Sequence, residues 1–211
     1  MKVCFDYKDF EIFDIEDLEG RMKAIRENIQ PVFQYFGDTL LESINDYTGY
    51  AGSFHIAKHR RRTVNPPGST WSAFGGNKRG YKKYPHIQIG INEKYIFMFL
   101  AIIDNPRHEK TMARYLLDNP SLWSGLSEEY HVSRDHTKIA LIKADDYSIS
   151  TTLQHVNAVK KGEFMIGRIM TPDSEHLQTC ESQESFFKET LVTLLPAYKA
   201  LLELYHKEEN R

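Results

Sequence analysis

Apolar residues first recur at helical spacing between Ile15 and Ile29, where Ile15, Leu18, Met22, Ile25 and Ile29 form one stripe. Asp14 stands where an N-cap would. Glu16, Asp17 and Glu19 crowd the first turn and Arg21, Lys23 and Arg26 follow, an order that complements the helix dipole. Ahead of this helix, Phe10–Phe13 reads as a short edge strand. Pro31 ends the first helix and starts the next, whose stripe is Phe33, Phe36, Leu40, Ile44 and Tyr47 and which Gly49 and Gly52 terminate.

The pattern then turns to strands. Phe54–Lys58, Thr70–Phe74 and His86–Ile91 are separated by the turn Asn65-Pro66-Pro67-Gly68 and the glycine-rich loop Gly75–Gly80. In the third strand Ile87, Ile89 and Ile91 share one face, and His86, Gln88 and Gly90 the other. Asn92-Glu93-Lys94 makes a tight hairpin into Tyr95–Ile103, a run apolar on both faces and therefore a central, buried strand. Asn105 and Pro106 read as an N-cap and first residue of a helix that stops near Leu117. Leu122, Trp123 and Leu126 anchor the segment after it. His131–Arg134 and Lys138–Ile142 read as weaker strands. Asp145 caps a helix striped by Ile149, Leu153, Val156 and Val159, and Gly162–Met170 is a further strand. From Ser182 to about His206 a last helix carries Phe187, Leu191, Leu194, Tyr198, Leu201 and Tyr205, with a kink expected at Pro196. Helices and strands come in blocks. The expected fold is α+β, a single domain over 1–211, with a mainly antiparallel sheet of about five to seven strands flanked by helices.

With 211 residues and 41% apolar side chains, the chain can bury a core without staples. Cys4 and Cys180 lie far apart and form no CxxC, which argues for a reducing compartment and against a disulfide scaffold. The opening MKVCFDYKDF has no apolar core of a signal peptide. The longest apolar run, Tyr95–Ile103, is about half the ~20 residues of a membrane helix. A cytoplasmic protein without a membrane partner is expected.

Charge changes the picture most. No acid occurs between Asp46 and Glu93, while Lys58, Arg60, Arg61, Arg62, Lys78, Arg79, Lys82 and Lys83 all fall there. The net charge of the whole chain is −2, so the remainder carries −10. Such segregation creates a local positive field that attracts anions, and guanidinium forks suit phosphate or carboxylate oxygens. The candidate anion site, built from residues 55–86, comprises Lys58, His59, Arg61, Arg62, Lys78, Arg79 and Lys82, provided the two clusters converge. Trp71 and Tyr81 are candidate stacking platforms among them, although aromatics in strands are more often core. Trp71 and Phe74 should point to opposite faces. The ligand would be a nucleotide, a phosphorylated metabolite or RNA.

Other motifs carry less. GGNKRG lacks the spacing and the hydroxyl of a Walker A loop. His55 and His59 are four apart, but neither His86 nor His131 completes a zinc spacing, so no metal site is expected. Arg134-Asp135-His136 places a carboxylate beside a histidine, yet neighbours on a strand face opposite ways, and a local turn with an ion pair accounts for it better. No nucleophile, catalytic base or cofactor motif stands out.

The words HIAKHRRR, VNPPGSTW, AFGGNKRGYKK, PHIQIGI and RDHTK resemble the YktB-like proteins, a bacterial family, over nearly the whole chain. That resemblance implies an α+β fold with a topology akin to the cores of biotin ligases and class II aminoacyl-tRNA synthetases. It brings no catalytic residues, and fold does not fix function. Besides a binder of an anionic ligand, two other readings therefore stand: a nucleotide-dependent ligase or acyltransferase-like enzyme, and a protein-interaction domain with a basic face.

Overall fold

A computed structural model describes residues 2–103 and 106–211. Its frame is an antiparallel sheet of seven strands: β1 (Ser53–Ile56), β2 (Ser69–Gly75), β3 (His86–Asn92), β4 (Ile96–Ile102), β5 (Tyr130–Ser133), β6 (Ile142–Lys143) and β7 (Phe164–Met170). Their spatial order is β1-β2-β3-β4-β7-β5-β6. The continuously apolar run became the middle strand, β4, buried along its whole length between β3 and β7. Both ladder edges and both faces of such a strand are covered, so it needs no polar side.

The two faces are packed differently. Ile87, Ile89 and Ile91 of β3 and Met98 and Leu100 of β4 join the main core. That core is completed by α3 (Gln30–Thr48), α4 (Glu109–Asp118), α5 (Asp146–Ala158) and α6 (Cys180–Glu209). Tyr95, Phe97, Phe99, Ala101, Ile103 and Met165 form a separate cluster on the other face. Among the described residues no helix covers it; the loop over 134–141 folds across it instead. Among the described residues, no helix is long and apolar enough to cross a membrane.

Several local expectations fail for identifiable reasons. Phe10–Phe13 is not a strand: Lys8–Glu11 forms the short helix α1, continued by a 3-10 turn. Asp6 accepts the backbone N–H of Lys8, and such a local bond draws the chain into a turn. Asp14 ends that turn. The N-cap of α2 (Leu18–Ala24) is Asp17, whose carboxylate accepts from the N–H of Gly20 at 2.6 Å. Pro31 does not separate two helices, because Ile25–Ile29 is a π turn that joins α2 to α3. There the N–H of Gln30 bonds back to the carbonyl of Ile25, a widened turn of the kind that relieves the clash a proline ring makes with the preceding turn. Tyr47 is exposed rather than part of the buried stripe.

The proposed cap Asn105 lies outside the described residues. Pro106 is not the first helical residue, since α4 starts at Glu109, after the Arg107 N–H has bonded to the Lys83 carbonyl at 3.0 Å. The strand expected over Lys138–Ile142 shrinks to the two residues of β6. The cap by Asp145 is present, accepting from the Ser148 N–H, and α6 runs through Pro196 without interruption.

The largest correction concerns the cysteines. Cys4 and Cys180 are joined as a disulfide across 176 residues, with Cα atoms 5.3 Å apart. Gln183 brings them together: its side chain bonds to both the N–H and the carbonyl of Phe5, at 2.9 and 2.8 Å. The N-terminal segment is thereby laid against the first turn of α6. Sequence separation carried no information about this.

Candidate functional site

The face of the sheet without helices is set by the register of its middle strands. Trp71 pairs with Gly90, and Gly90 with Phe97, so the three stand in one row. The next row holds Ala73, Gln88, Phe99 and Gly167. With hydrogen at residue 90, the Phe97 ring can lie flat over the sheet; a Cβ there would meet it directly. Phe97 and Phe99 stack, with centroids 4.8 Å apart and planes at 20°.

Above this floor is a cavity of about 200 Å³. Two loops roof it: the β1–β2 connection supplies His59 and Arg62, and the β5–β6 connection supplies His136, Lys138 and Leu141. A second, open groove adjoins it, lined by Lys58, Arg60, Arg61 and Lys82. His59, Arg62 and Trp71 line both. Among the described residues, Arg60, Arg61 and Arg62 have no carboxylate at ion-pair distance, in contrast to Arg168, which meets Glu129 at 2.8 Å.

The basic clusters thus converge only in part. Lys58, His59, Arg61, Arg62 and Lys82 meet at the groove. Lys78 and Arg79 sit on an exposed turn, closed by the pairing of Asn77 with Gly80, and line neither space. Of the stacking candidates, Trp71 is half-buried in the shared wall, whereas Tyr81 is buried and its hydroxyl accepts from the Trp71 indole N–H at 2.7 Å. Phe74 points into the main core, on the face opposite Trp71.

Burial works against charge on the histidines under the groove. His59 has its backbone in the left-handed region, φ 47°, unusual for a residue with a Cβ. Its ring is fixed by Nε2 against the Thr70 hydroxyl at 3.1 Å and edge-on to Trp71. Burial first, then the charges of Arg62 and Lys82, push it down to about 4. His86 is fully buried and also pushed down to about 4, mainly by that burial. Its Nδ1 faces the Tyr84 carbonyl at 2.9 Å and so carries the proton, while Nε2 accepts from the Gln88 amide at 3.0 Å. Burial lowers His55 as well. Among the described residues, the group that could hold a metal ion is Asp135, His136 and Glu163, with ligand atoms within 4.8 Å of one another; it includes none of His55, His59 and His86.

That group contains what the sequence did not reveal. Asp135 does not orient His136: its carboxylate takes the N–H and hydroxyl of Thr137, at 2.8 and 2.6 Å. The partner of His136 is Glu163, whose carboxylate oxygens lie 2.9 and 2.8 Å from Nδ1 and one of which accepts the His136 backbone N–H at 2.9 Å. A carboxylate bonded to one ring nitrogen of a cavity-lining histidine can steady an imidazolium during proton transfer. Glu163 stands 27 residues away with no motif around it, so no spacing signal pointed to the pair.

Residues 5–198 match the family model described as Domain of unknown function (DUF1054). The chain is 43% identical over 197 residues to a UPF0637 protein of Enterococcus faecalis, covering 93% of this chain and 97% of that protein. It is 40% identical over 202 residues to a UPF0637 protein of Listeria monocytogenes, covering 94% and 98%. A UPF0637 protein of Lysinibacillus sphaericus is 38% identical over 204 residues, covering 95% and 97%.

Proposed function

The chain belongs to this bacterial family, DUF1054, consistent with its YktB-like sequence words, and we propose that it binds a small anionic ligand that also carries an apolar group. The observation that carries the reading is the shared wall: His59, Arg62 and Trp71 line both the apolar-floored cavity and the basic groove. An apolar group in the cavity would place an attached phosphate or carboxylate among Lys58, Arg61, Arg62 and Lys82. At about 200 Å³ the cavity is smaller than the ~300–1,000 Å³ of a site for a whole drug-sized ligand, so it suits one ring or short acyl chain of a larger molecule. The apolar-floored cavity beside the basic groove also favours a small molecule over RNA, whose footprint is a long open basic stripe.

The test is calorimetric titration with coenzyme A, adenosine monophosphate, sulfate and a short RNA, paired with melting curves. The wild type should be stabilised by the phosphate-bearing small molecules, and Arg61→Ala and Arg62→Ala should remove most of that gain. Removing closely held cations should leave the free protein as stable or slightly more so. Binding of RNA alone, with log K falling steeply against log salt, would move the reading to nucleic acid. No response to any anion would sink it and leave the basic face for a protein partner.

A further inference from the structure

We propose that the cavity receives a nucleobase whose N–H is accepted by Gln88, which makes the ligand of the site a nucleotide. This depends on the cavity and the groove serving one ligand, as proposed above, and it names the class of that ligand.

Gln88 sits on the cavity face of β3, in one row with Phe99, and lines the cavity. It is 2% exposed, so its amide is cut off from bulk water. A chain of bonds fixes how that amide points. The Tyr84 carbonyl holds the proton of His86 on Nδ1, at 2.9 Å, and leaves Nε2 as an acceptor. Burial, which pushes His86 down to about 4, keeps Nε2 bare at pH 7. Gln88 answers it with its NH2 group, at 3.0 Å, which turns Oε1 the other way. Among the described residues nothing donates to that Oε1. Asn92 lies further along the same face, is 3% exposed and also lines the cavity. Its Oδ1 takes the N–H groups of Lys94 and Tyr95, at 2.8 and 2.9 Å, so only its NH2 is left to offer.

These two amides decide what the cavity can hold. A hydrocarbon chain laid over them would leave a buried acceptor without a donor, which costs binding. The occupant therefore brings a donor to Gln88 and an acceptor to Asn92. The floor asks for a flat group, because the rings of Phe97 and Phe99 lie within 20° of parallel and Trp71 stands in the wall. A flat aromatic group edged with donors and acceptors is a nucleobase, and bases of every kind stack on aromatic side chains. A glutamine amide is itself a reader of bases, pairing through its carbonyl and N–H with an adenine edge. Beyond Trp71 the groove sets Arg61 and Arg62 where a phosphate would lie. Base in the cavity, sugar past Trp71 and phosphate among arginines is the order of groups in a nucleoside phosphate.

The test is calorimetric titration of the full chain at pH 7. Adenosine, guanosine, cytidine and uridine monophosphate each carry an N–H donor on the base. The controls lack it: purine riboside monophosphate has no amine, phenyl phosphate has a ring without nitrogen, and ribose phosphate has no ring. At least one of the nucleotides should bind about tenfold or more tightly than every control, as expected when a control leaves a buried acceptor unmet. Gln88→Met, close in shape but without the amide, should erase that advantage and leave phenyl phosphate binding unchanged or improved. Melting curves check the fold of this variant, and the wild-type series stands without it. Phenyl phosphate bound as tightly as every nucleotide, and weakened by Arg61→Ala and Arg62→Ala, would overturn the nucleobase and leave the anionic ligand standing. A nucleoside bound equally well without its phosphate, and lost in Gln88→Met, would keep the base in the cavity and remove the anion reading. A preferred nucleotide that Gln88→Met binds unchanged would overturn the role of Gln88. Binding of none of these compounds would overturn both readings.

Discussion

Gly90 and Phe97 face each other across β3 and β4, and the Phe97 ring occupies the space into which a side chain at residue 90 would project. The floor of the cavity therefore depends on one missing methyl group. Residue 90 has no unusual backbone angle, so alanine would otherwise be tolerated or favoured. Gly90→Ala should instead cost about 1–3 kcal/mol through overpacking. The double variant Gly90→Ala with Phe97→Leu should recover part of that loss, because the two residues are in contact. Denaturant midpoints measure both, and a neutral Gly90→Ala would show that the ring is not held there.

His86 sets a pH window. Its folded-state pKa, about 4, lies below the ordinary imidazole value of 6.5. Between those values the unfolded chain binds a proton that the native protein refuses. Stability from this group is therefore complete above about pH 6.5 and falls as the pH drops towards 4. The slope is about 1 kcal/mol per pH unit for one fully buried histidine. His59 adds in the same direction, weakened by its partial exposure. Denaturant titrations at pH 7 and pH 5 should show the wild type losing more than His86→Gln does. Equal losses in the two would remove His86 as a cause.

The Cys4–Cys180 bond closes most of the chain into one loop. Reducing it, or making Cys4→Ser, should lower stability by roughly 2–4 kcal/mol. The Phe5–Gln183 bonds would still hold the segment in place, so the native fold should persist. Thiol titration of the oxidised, folded protein should find no free thiol; two would refute the linkage.

Lys78 and Arg79 offer a control for the proposed anion site. Both belong to the acid-free window, yet the structure sets them on an exposed turn away from the groove. Lys78→Ala with Arg79→Ala should leave the sulfate-induced rise in melting temperature almost intact, while Arg61→Ala with Arg62→Ala should abolish most of it. Similar losses from the two pairs would mean that the field of the whole window, not a defined groove, attracts the anion.

Local chemistry was enough for much of the fold. The run Tyr95–Ile103 read as a central strand and the stripe from Phe33 to Ile44 as a helix against a core, because period and polarity are properties of neighbouring residues. The acid-free window was equally visible, since charge can be counted along a chain. Where propensities competed, the reading failed. Asp14 and Asp17 both resemble caps, and only the geometry of the amides ahead chose Asp17. What tertiary structure alone decided was proximity. It joined Cys4 to Cys180, gave His136 to Glu163 instead of to its neighbour Asp135, and brought Lys82 to the arginine loop while leaving Lys78 and Arg79 outside. The packing of distant segments on a shared sheet sets such distances, and no periodicity in a single chain encodes them.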